Sequence, residues 1–467
     1  MSRIRSAIRR VRTSELGGLA GDSSYAAIWQ GAISVADLLQ IALITHALGL
    51  SEYGRLALAM SVVVLIGKFF DVRVGVAATT FGSRYVAAGD MRAAAGVFQF
   101  GYVIDATTGV LGFAVVAALS PLVGPALVGD DGTILILLYG LTLLVSTVDE
   151  SSISILRLFN RFRLIAGYTV GLEALRVTLV AGALIVFGTL PAVLVALLLH
   201  DLLGAVANMV AATLAFRHAA GTPLRKGALR VFDEKRQMVR MVLHTNFVSY
   251  ARLAQVQLPT LVLGALSTTT QVGLYKVGTA GGAIVGRLAD PPYAAVLPRF
   301  SRLWASGRFE EIRRLIRSAT PFVAAILGVA LLLVIVFRDP ILRALGGGDD
   351  ALPAAPVLVL VAAAHAVNGI LFWNIGLLFA AGRSGAISIV AVGGALLQLA
   401  LVFPLVRTWD ATGAGIALFV SLVVSNLVLT VLAVQTLRRA QRCRPQSEEI
   451  TSDQRATAMS SEYEART

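Results

Sequence analysis

EYGRLALAMSVVVLIGKFFD, Glu52 to Asp71, and QVGLYKVGTAGGAIVGRLAD, Gln271 to Asp290, read as two versions of one helix. Gly54 aligns with Gly273, Gly67 with Gly286, Lys68 with Arg287 and Asp71 with Asp290, all at the same offset of 219 residues. Each stretch is an apolar run with small residues at intervals. Each is long enough to cross a hydrocarbon core of about 30 Å at 1.5 Å per residue. The hydropathy pattern places six spans in each unit. An even number makes both halves enter from the same side, so the repeat is parallel, with its axis along the membrane normal. The competing reading is a chance likeness between two Gly-rich apolar helices.

The rest of the chain supports a membrane reading. Of its 467 residues 57% are apolar and 14% charged, with a mean hydropathy of +0.78. A soluble chain carries about 45–50% apolar and about 25% charged residues, which excludes a soluble enzyme and a disordered chain. A β-barrel would show short alternating segments, and none appear. Spans are predicted at 27–48, 55–80, 97–118, 133–156, 164–187, 192–216, 241–266, 273–297, 319–337, 355–381, 385–406 and 412–436. The expected fold is an all-α polytopic membrane protein of about twelve transmembrane helices in two six-helix bundles, 27–216 and 241–437. A basic arm (1–26), a basic linker (217–240) and a disordered tail (438–467) complete the expected layout.

Charge in the loops sets the orientation. Alternate connections, with both termini, hold thirty Lys and Arg; the others hold three, Arg338, Arg343 and Arg407. The positive-inside rule then puts both termini in the cytoplasm. The net charge of +13 belongs to this asymmetry and does not point to nucleic acid. Met1–Asp22 has five arginines and no continuous apolar run, so no cleavable signal is expected. Ile4, Ile8 and Val11 recur at helical spacing among those arginines, so the arm either lies on an anionic leaflet or is a topogenic basic terminus.

Charges inside the spans carry the chemistry. Seven cations fall there: Arg55, Lys68, Arg73, Arg176, Arg252, Lys276 and Arg287. Eight acids do too: Asp37, Asp71, Asp105, Asp149, Glu150, Glu173, Asp201 and Asp290. Each costs about 2.5–3.5 kcal/mol at the bilayer centre if it faces lipid, so most must point inward, pair or snorkel. This density suggests a hydrated transport path. Lys68 with Asp71, Glu173 with Arg176, and Arg287 with Asp290 are spaced to pair on one helix face. Asp37 shares a stripe with Gln30 and Ser34, while Asp149 and Glu150 sit near a span end and read as interfacial. Arg252 and Lys276 have no acid one turn away. Lys276 and Arg287 are eleven residues apart and share a face, with Ala280 and Ala283 between them leaving room for a ligand. Pro291-Pro292 should kink this helix just below. The apparently unpaired charges thus segregate, acids in the first half and cations in the second. Lys68, Arg252, Lys276 and Arg287 are the candidates for an anionic headgroup, and Asp37 and Glu173 for a coupling ion.

No phosphate-binding loop, H-E-x-x-H or G-x-S-x-G is present, and the single Cys443 excludes a disulfide within the chain or a multi-cysteine metal site. No cofactor or metal is expected, and ATP hydrolysis by this chain is not. The short loops on the sparsely charged side leave no room for a catalytic domain, which argues against a glycosyltransferase or polysaccharide polymerase.

LGLSEYGRLALAMS (Leu48–Ser61) and VGLYKVGTAGGAIVGRLADPPYAAVLPRFSRLW (Val272–Trp304), with the basic run after Pro298, resemble Wzx-type oligosaccharide flippases of the multidrug/oligosaccharidyl-lipid/polysaccharide exporter superfamily. The likeness covers about residues 20–437. It implies two bundles around a central cavity with alternating access. It further implies an undecaprenyl-pyrophosphate-linked oligosaccharide as substrate, moved across a bacterial inner membrane for surface polysaccharide or O-antigen synthesis. Proton, Na⁺ or potential-driven coupling, and a polymerase and glycosyltransferases as partners, also follow from it. A multidrug/cation antiporter or a lipid II flippase of the same superfamily is the alternative.

Overall fold

The structure, a computed structural model, describes residues 2–70, 74–221, 224 and 247–464, and the described residues are helical almost throughout. The first half comprises α1 (Ser2–Phe70), α2 (Val74–Ala87), α3 (Met91–Leu127), α4 (Gly132–Gly140), α5 (Thr142–Leu158), α6 (Phe162–Val186) and α7 (Leu190–Ala220). The second half comprises α8 (Phe247–Leu266), α9 (Thr269–Arg287), α10 (Asp290–Ala305), α11 (Phe309–Val336) and α12 (Arg338–Gly346). It continues with a 3₁₀ turn (Asp349–Ala354), α13 (Ala355–Ile370), α14 (Trp373–Ala380) and α15 (Ser384–Glu464).

Eight described stretches are long and apolar enough to cross a membrane. Two of them, Gln30–Phe70 and Ser384–Arg442, each join two helices across a kink, at Gly49 and at Trp409–Asp410. With α8 and the α9–α10 pair this makes twelve passes among the described residues. Gly49 has φ +86°, a conformation only glycine adopts without strain. At the second kink the legs fold so tightly that a Cβ on Gly413 would meet the Leu405 carbonyl.

Several boundaries differ from the hydropathy reading. α9 stops at Arg287 and α10 starts at Asp290 with prolines in its first turn, as the Pro291-Pro292 pair predicts. The interruptions at Leu141, directly after Gly140, and at Leu371–Phe372 have no Pro at the break and do not show in the hydropathy pattern. α11 begins ten residues before its apolar run, because FEEIRRLIRS is amphipathic and buries Ile312. The stretch after residue 438, expected to be disordered, continues α15 as helix to Glu464; its Arg, Gln, Glu and Ala residues favour that state. The expected linker 217–240 lies mostly outside the described residues, as do Asp71 and Arg73.

Two ends can be told apart by charge. The basic end carries the turns at 88–90, 159–161, 306–308 and 381–383. The neutral end carries the turns at Gly49, 128–131, 187–189, 267–268 and 409–410, together with α12. At the neutral end the halves meet. A Cβ on Gly54 would strike the Thr269 carbonyl, and a Cβ on Gly273 would strike the Leu50 carbonyl. Since 50 maps to 269 and 54 to 273, the contact is reciprocal: the signature of a two-fold axis passing between the helices. Ser51 Oγ bonds to Thr269 Oγ1 at 2.8 Å, and the buried Thr45 hydroxyl donates to the Leu345 carbonyl at 2.7 Å. At the basic end the arrangement differs. α2 packs on α3 and α5, and α10 packs on α14 and α11, each against its own bundle.

Candidate functional site

The helix α9 owes its placement to glycine. Gly278, Gly282 and Gly286 recur every four residues. A Cβ on them would meet Val357, the Leu358 carbonyl and the His365 ring of α13. This close seating, usual where small residues line an intramembrane interface, consumes one face of α9. Gly273 faces the first half, and Lys276 follows it by one turn. Lys276, Ala280 and Ala283 are half-buried and Arg287 is exposed, while Val277, Gly278, Gly281, Gly282 and Val285 are buried. The stripe from Lys276 to Arg287 therefore descends from the inter-bundle crossing toward the basic end and is not consumed by packing.

Neither cation on this stripe has an acidic partner within ion-pair distance among the described residues. The expected Arg287–Asp290 pair does not close to ion-pair distance across the break at Leu288–Ala289, although the two charges remain near enough to interact. Arg252 lies on α8, but its side chain is outside the described residues.

The matching face in the first half is closed. Ala57 stands at the position of Lys276 and is buried; Ser61 follows, also buried, with its hydroxyl unpartnered. Lys68 lines a cavity of about 200 Å³ with Asp105, Glu150, Thr108 and Ser146, all from the first bundle. Asp105 accepts a 2.5 Å bond from Ser151. The fourth headgroup candidate thus stands in an acid-bearing cavity, apart from Lys276 and Arg287.

Asp37, Asp105, Asp149, Glu173 and Asp201 of the first half have polar partners, which corrects the expectation that the acids there are unpaired. Arg176 sits 2.8 Å from Asp37 and 2.9 Å from Glu173, so one guanidinium serves two carboxylates. A cavity of about 270 Å³ adjoins them. In it Tyr168 donates to Asn208 at 2.5 Å, Asn208 donates to Asp149 at 2.8 Å, and His200 Nδ1 lies 3.0 Å from Asp201. Asp149 is thereby part of a bonded network between α5, α6 and α7, not the interfacial residue its position suggested. Tyr168, His200 and Asn208 were not singled out from sequence; polar residues on otherwise apolar helices were the available signal. Arg55 is held at the neutral end by Glu52 at 2.9 Å, by Asp131 and by the Val128 carbonyl at 2.9 Å. Beyond the spans, Arg343 donates to Asp349 at 2.6 Å, and that bond raises its guanidinium above the ordinary value. No group of three or more His, Cys, Asp or Glu able to hold a metal occurs among the described residues.

Comparison with known proteins gives two concordant results. A family model described as "Polysaccharide biosynthesis protein" matches residues 19–304. No curated protein sequence matches the chain. Among solved structures, the chain is similar to the inward-facing conformation of a multidrug resistance MATE family transporter of the MOP superfamily. There the TM-score is 0.69 at 14% identity, over 90% of this chain and 99% of that one. It is also similar to a MATE in the straight conformation (TM-score 0.60, 14% identity, 90% and 96% coverage). A third likeness is to the eukaryotic MATE transporter AtDTX14 (TM-score 0.58, 13% identity, 91% and 99% coverage). At these identities the likeness is one of fold: two helical bundles of a multi-pass membrane protein.

Proposed function

The chain belongs to the polysaccharide biosynthesis protein family, and from that premise we propose that it flips an undecaprenyl-pyrophosphate-linked oligosaccharide across a bacterial inner membrane by alternating access. One observation carries the reading. The halves are joined at the neutral end by the reciprocal Gly54–Gly273 crossing, and just beyond it α9 presents Lys276 and Arg287 with no acid at ion-pair distance among the described residues. With the basic end in the cytoplasm, this is a path closed outward whose wall is cationic on one side. The physical barrier is dragging a charged, sugar-bearing headgroup through hydrocarbon. A hydrated path lets the headgroup cross while the polyprenyl tail stays in lipid. Unpaired Lys276 and Arg287 supply charge-assisted contacts to pyrophosphate oxygens. Lys68 and Arg252 are secondary contacts in this reading. Surface-polysaccharide glycosyltransferases would supply such a substrate and a polymerase would consume it. The chain acts as a transporter and not as an enzyme.

Asp37 and Glu173 are assigned to coupling. Two carboxylates on one guanidinium leave an excess negative charge, which a proton or Na⁺ entering the cavity beside them balances while Arg176 keeps a partner.

The test is Lys276→Gln with Arg287→Gln. Export of surface glycan is expected to be lost with protein level retained and no drop in the melting temperature, and complete lipid-linked repeat units should accumulate on the cytoplasmic face. Unchanged export removes both residues from the mechanism. A second reading, a multidrug or cation antiporter, is favoured by the acid network of the first bundle and the MATE-like fold. It is selected instead if overexpression confers drug efflux that depends on Asp37 and is indifferent to Lys276.

A further inference from the structure

The turn between α10 and α11 is built like the turn between α2 and α3, yet its charge is different. Both turns pivot on a glycine with positive φ, Gly307 at +67° and Gly89 at +77°. The turn at Gly307 is packed by an edge-to-face contact of Trp304 with Phe309, 5.1 Å between ring centres. Aligned on these glycines, the positions of Arg299, Arg302, Arg308 and Arg314 are occupied in the first half by Phe81, Arg84, Asp90 and Gly96. There Arg84 lies over the Phe81 ring, and Asp90 caps α3. At these four positions the fold makes the same turn with one cation, so the other arginines are not needed to build it.

In the second half these four arginines surround a cavity of about 520 Å³ whose floor is Leu303 and Leu315. Glu311 is the one acid in the lining, and Arg308 already holds it at 2.6 Å. Arg302 Nε donates to the Pro298 carbonyl at 3.3 Å, so this bond does not use its terminal nitrogens. All four arginines are exposed, while Ile312 and Phe300 beneath them are fully buried. The depth is set by α11 itself. Its lipid-facing apolar side begins at Phe322 and runs through Ile326, Val329 and Leu333 to Val336. The cavity, which reaches only to Ser318, lies about one helical turn outside that band, at the level of lipid headgroups.

We propose that the cavity between α10 and α11 binds the phosphate headgroup of an anionic phospholipid of the cytoplasmic leaflet. The proposal rests on the orientation given above, with the basic end in the cytoplasm. Arginine forks match phosphate oxygens in pairs, and a half-buried leucine floor accepts the glycerol and first methylenes. Basic pockets between helices on the cytoplasmic side recognise such headgroups. The site is separate from the Lys276–Arg287 stripe, since Arg299 and Arg302 belong to α10, beyond the break, and line the side of that helix turned to α11.

The experiment uses the full-length protein in detergent and native mass spectrometry with phosphatidylglycerol, phosphatidylcholine or inorganic phosphate as probe. Phosphatidylglycerol is expected to stay bound and phosphatidylcholine to dissociate. Arg299→Gln/Arg302→Gln/Arg314→Gln should weaken the phosphatidylglycerol complex about a hundredfold. A control with equal charge loss at the same end, Arg438→Gln/Arg439→Gln/Arg442→Gln, should leave it unchanged. Equal retention in all three proteins, or equal loss in both variants, overturns the proposal. So does displacement of the lipid by excess inorganic phosphate, which would mark a free-phosphate site. Should the triple variant not fold, hydrogen exchange in the unmodified protein decides. Residues 299–318 must gain protection on vesicles containing phosphatidylglycerol and not on phosphatidylcholine alone. Cysteine labelling from either side of the membrane checks the orientation independently, so its failure and that of the lipid site are distinguishable. Glycan export by the triple variant is scored separately and does not bear on the lipid readout.

Discussion

The leg of α1 that follows Gly49 and helix α9 are the same helix used in two ways. Both begin at the neutral end, both place a glycine on the axis, and both carry a cation near the basic end of their central face. In the first half that cation, Lys68, stands in a cavity with Asp105 and Glu150, and the face above it is filled by Ala57 and Ser61. In the second half the equivalent face carries Lys276 in place of Ala57, and among the described residues neither Lys276 nor Arg287 has an acid within ion-pair distance. The glycines are shared because the fold needs them. The unpaired cations are not shared, so the fold does not need them, and their cost in hydrocarbon points to a ligand. The same contrast separates Arg176, clamped between Asp37 and Glu173, from Lys276.

The largest expected effect exploits that last contrast. Arg176→Met leaves Glu173, which is 11% exposed, without its counter-charge. Breaking a buried pair from one side costs about 3–5 kcal/mol. The lower part of that range applies, since 42% of the Asp37 side chain is accessible and not enclosed by protein. The readout is thermal unfolding in detergent, and an unchanged midpoint would contradict the structural role. Lys276→Met should act with the opposite sign. Removing an uncompensated ammonium from within the membrane raises stability by up to about 2.5 kcal/mol, while glycan export is lost. If Lys276→Met instead destabilises as Arg176→Met does, Lys276 is a structural charge and the distinction between the halves fails.

What could be read from sequence follows the same division. Twelve passes, the parallel repeat and the break near Pro291-Pro292 were all legible, because hydropathy over a span, glycine spacing and proline are local properties. The pairing of Glu173 with Arg176 was legible as an i,i+3 spacing, whereas the capture of Asp37 by the same arginine was not, since it joins residues 139 apart. That long-range contact gives Asp37, expected to be free, a partner. The missing Arg287–Asp290 pair was illegible for the converse reason: the spacing was right, but a helix break lay inside it. The break at Leu141 directly follows Gly140 and the one at Leu371–Phe372 follows Gly369 by two residues, but glycines at many other positions stay inside helices, so these two did not stand out in the local chain.

The reciprocal crossing makes a narrower prediction. Gly54→Ala and Gly273→Ala each put a methyl group where a carbonyl of the other half stands, at Thr269 and at Leu50. Overpacking of this kind costs about 1–3 kcal/mol, partly offset by about 1 kcal/mol of helix propensity gained over glycine. Because the contacts are related by the two-fold axis, the two variants should shift the unfolding midpoint equally. Each should also make a cysteine placed at Ser51 more reactive to a reagent added from the neutral side. A clear inequality would mean that the axis does not pass between these helices.

The smallest expected effect tests whether closure of the neutral end depends on more than the glycines. Thr45 donates its hydroxyl to the Leu345 carbonyl at 2.7 Å, and the site is buried; it has no counterpart in the repeat, since residue 264 is glycine. Thr45→Val keeps the volume and removes the donor, leaving the Leu345 carbonyl without its partner from α1. The direct loss is about 0.5–1.5 kcal/mol, comparable to a single neutral hydrogen bond. The bond joins the two halves, so its loss should fall on the equilibrium between closed and open neutral ends rather than on each bundle's own stability. One kilocalorie per mole there changes the open population about fivefold, because 1.4 kcal/mol is a factor of ten. Labelling of a Ser51→Cys probe should therefore accelerate about fivefold in Thr45→Val while the unfolding midpoint barely moves. If the midpoint falls and labelling does not change, the bond holds α12 onto α1 without gating the path. The glycine crossing then closes the neutral end by itself.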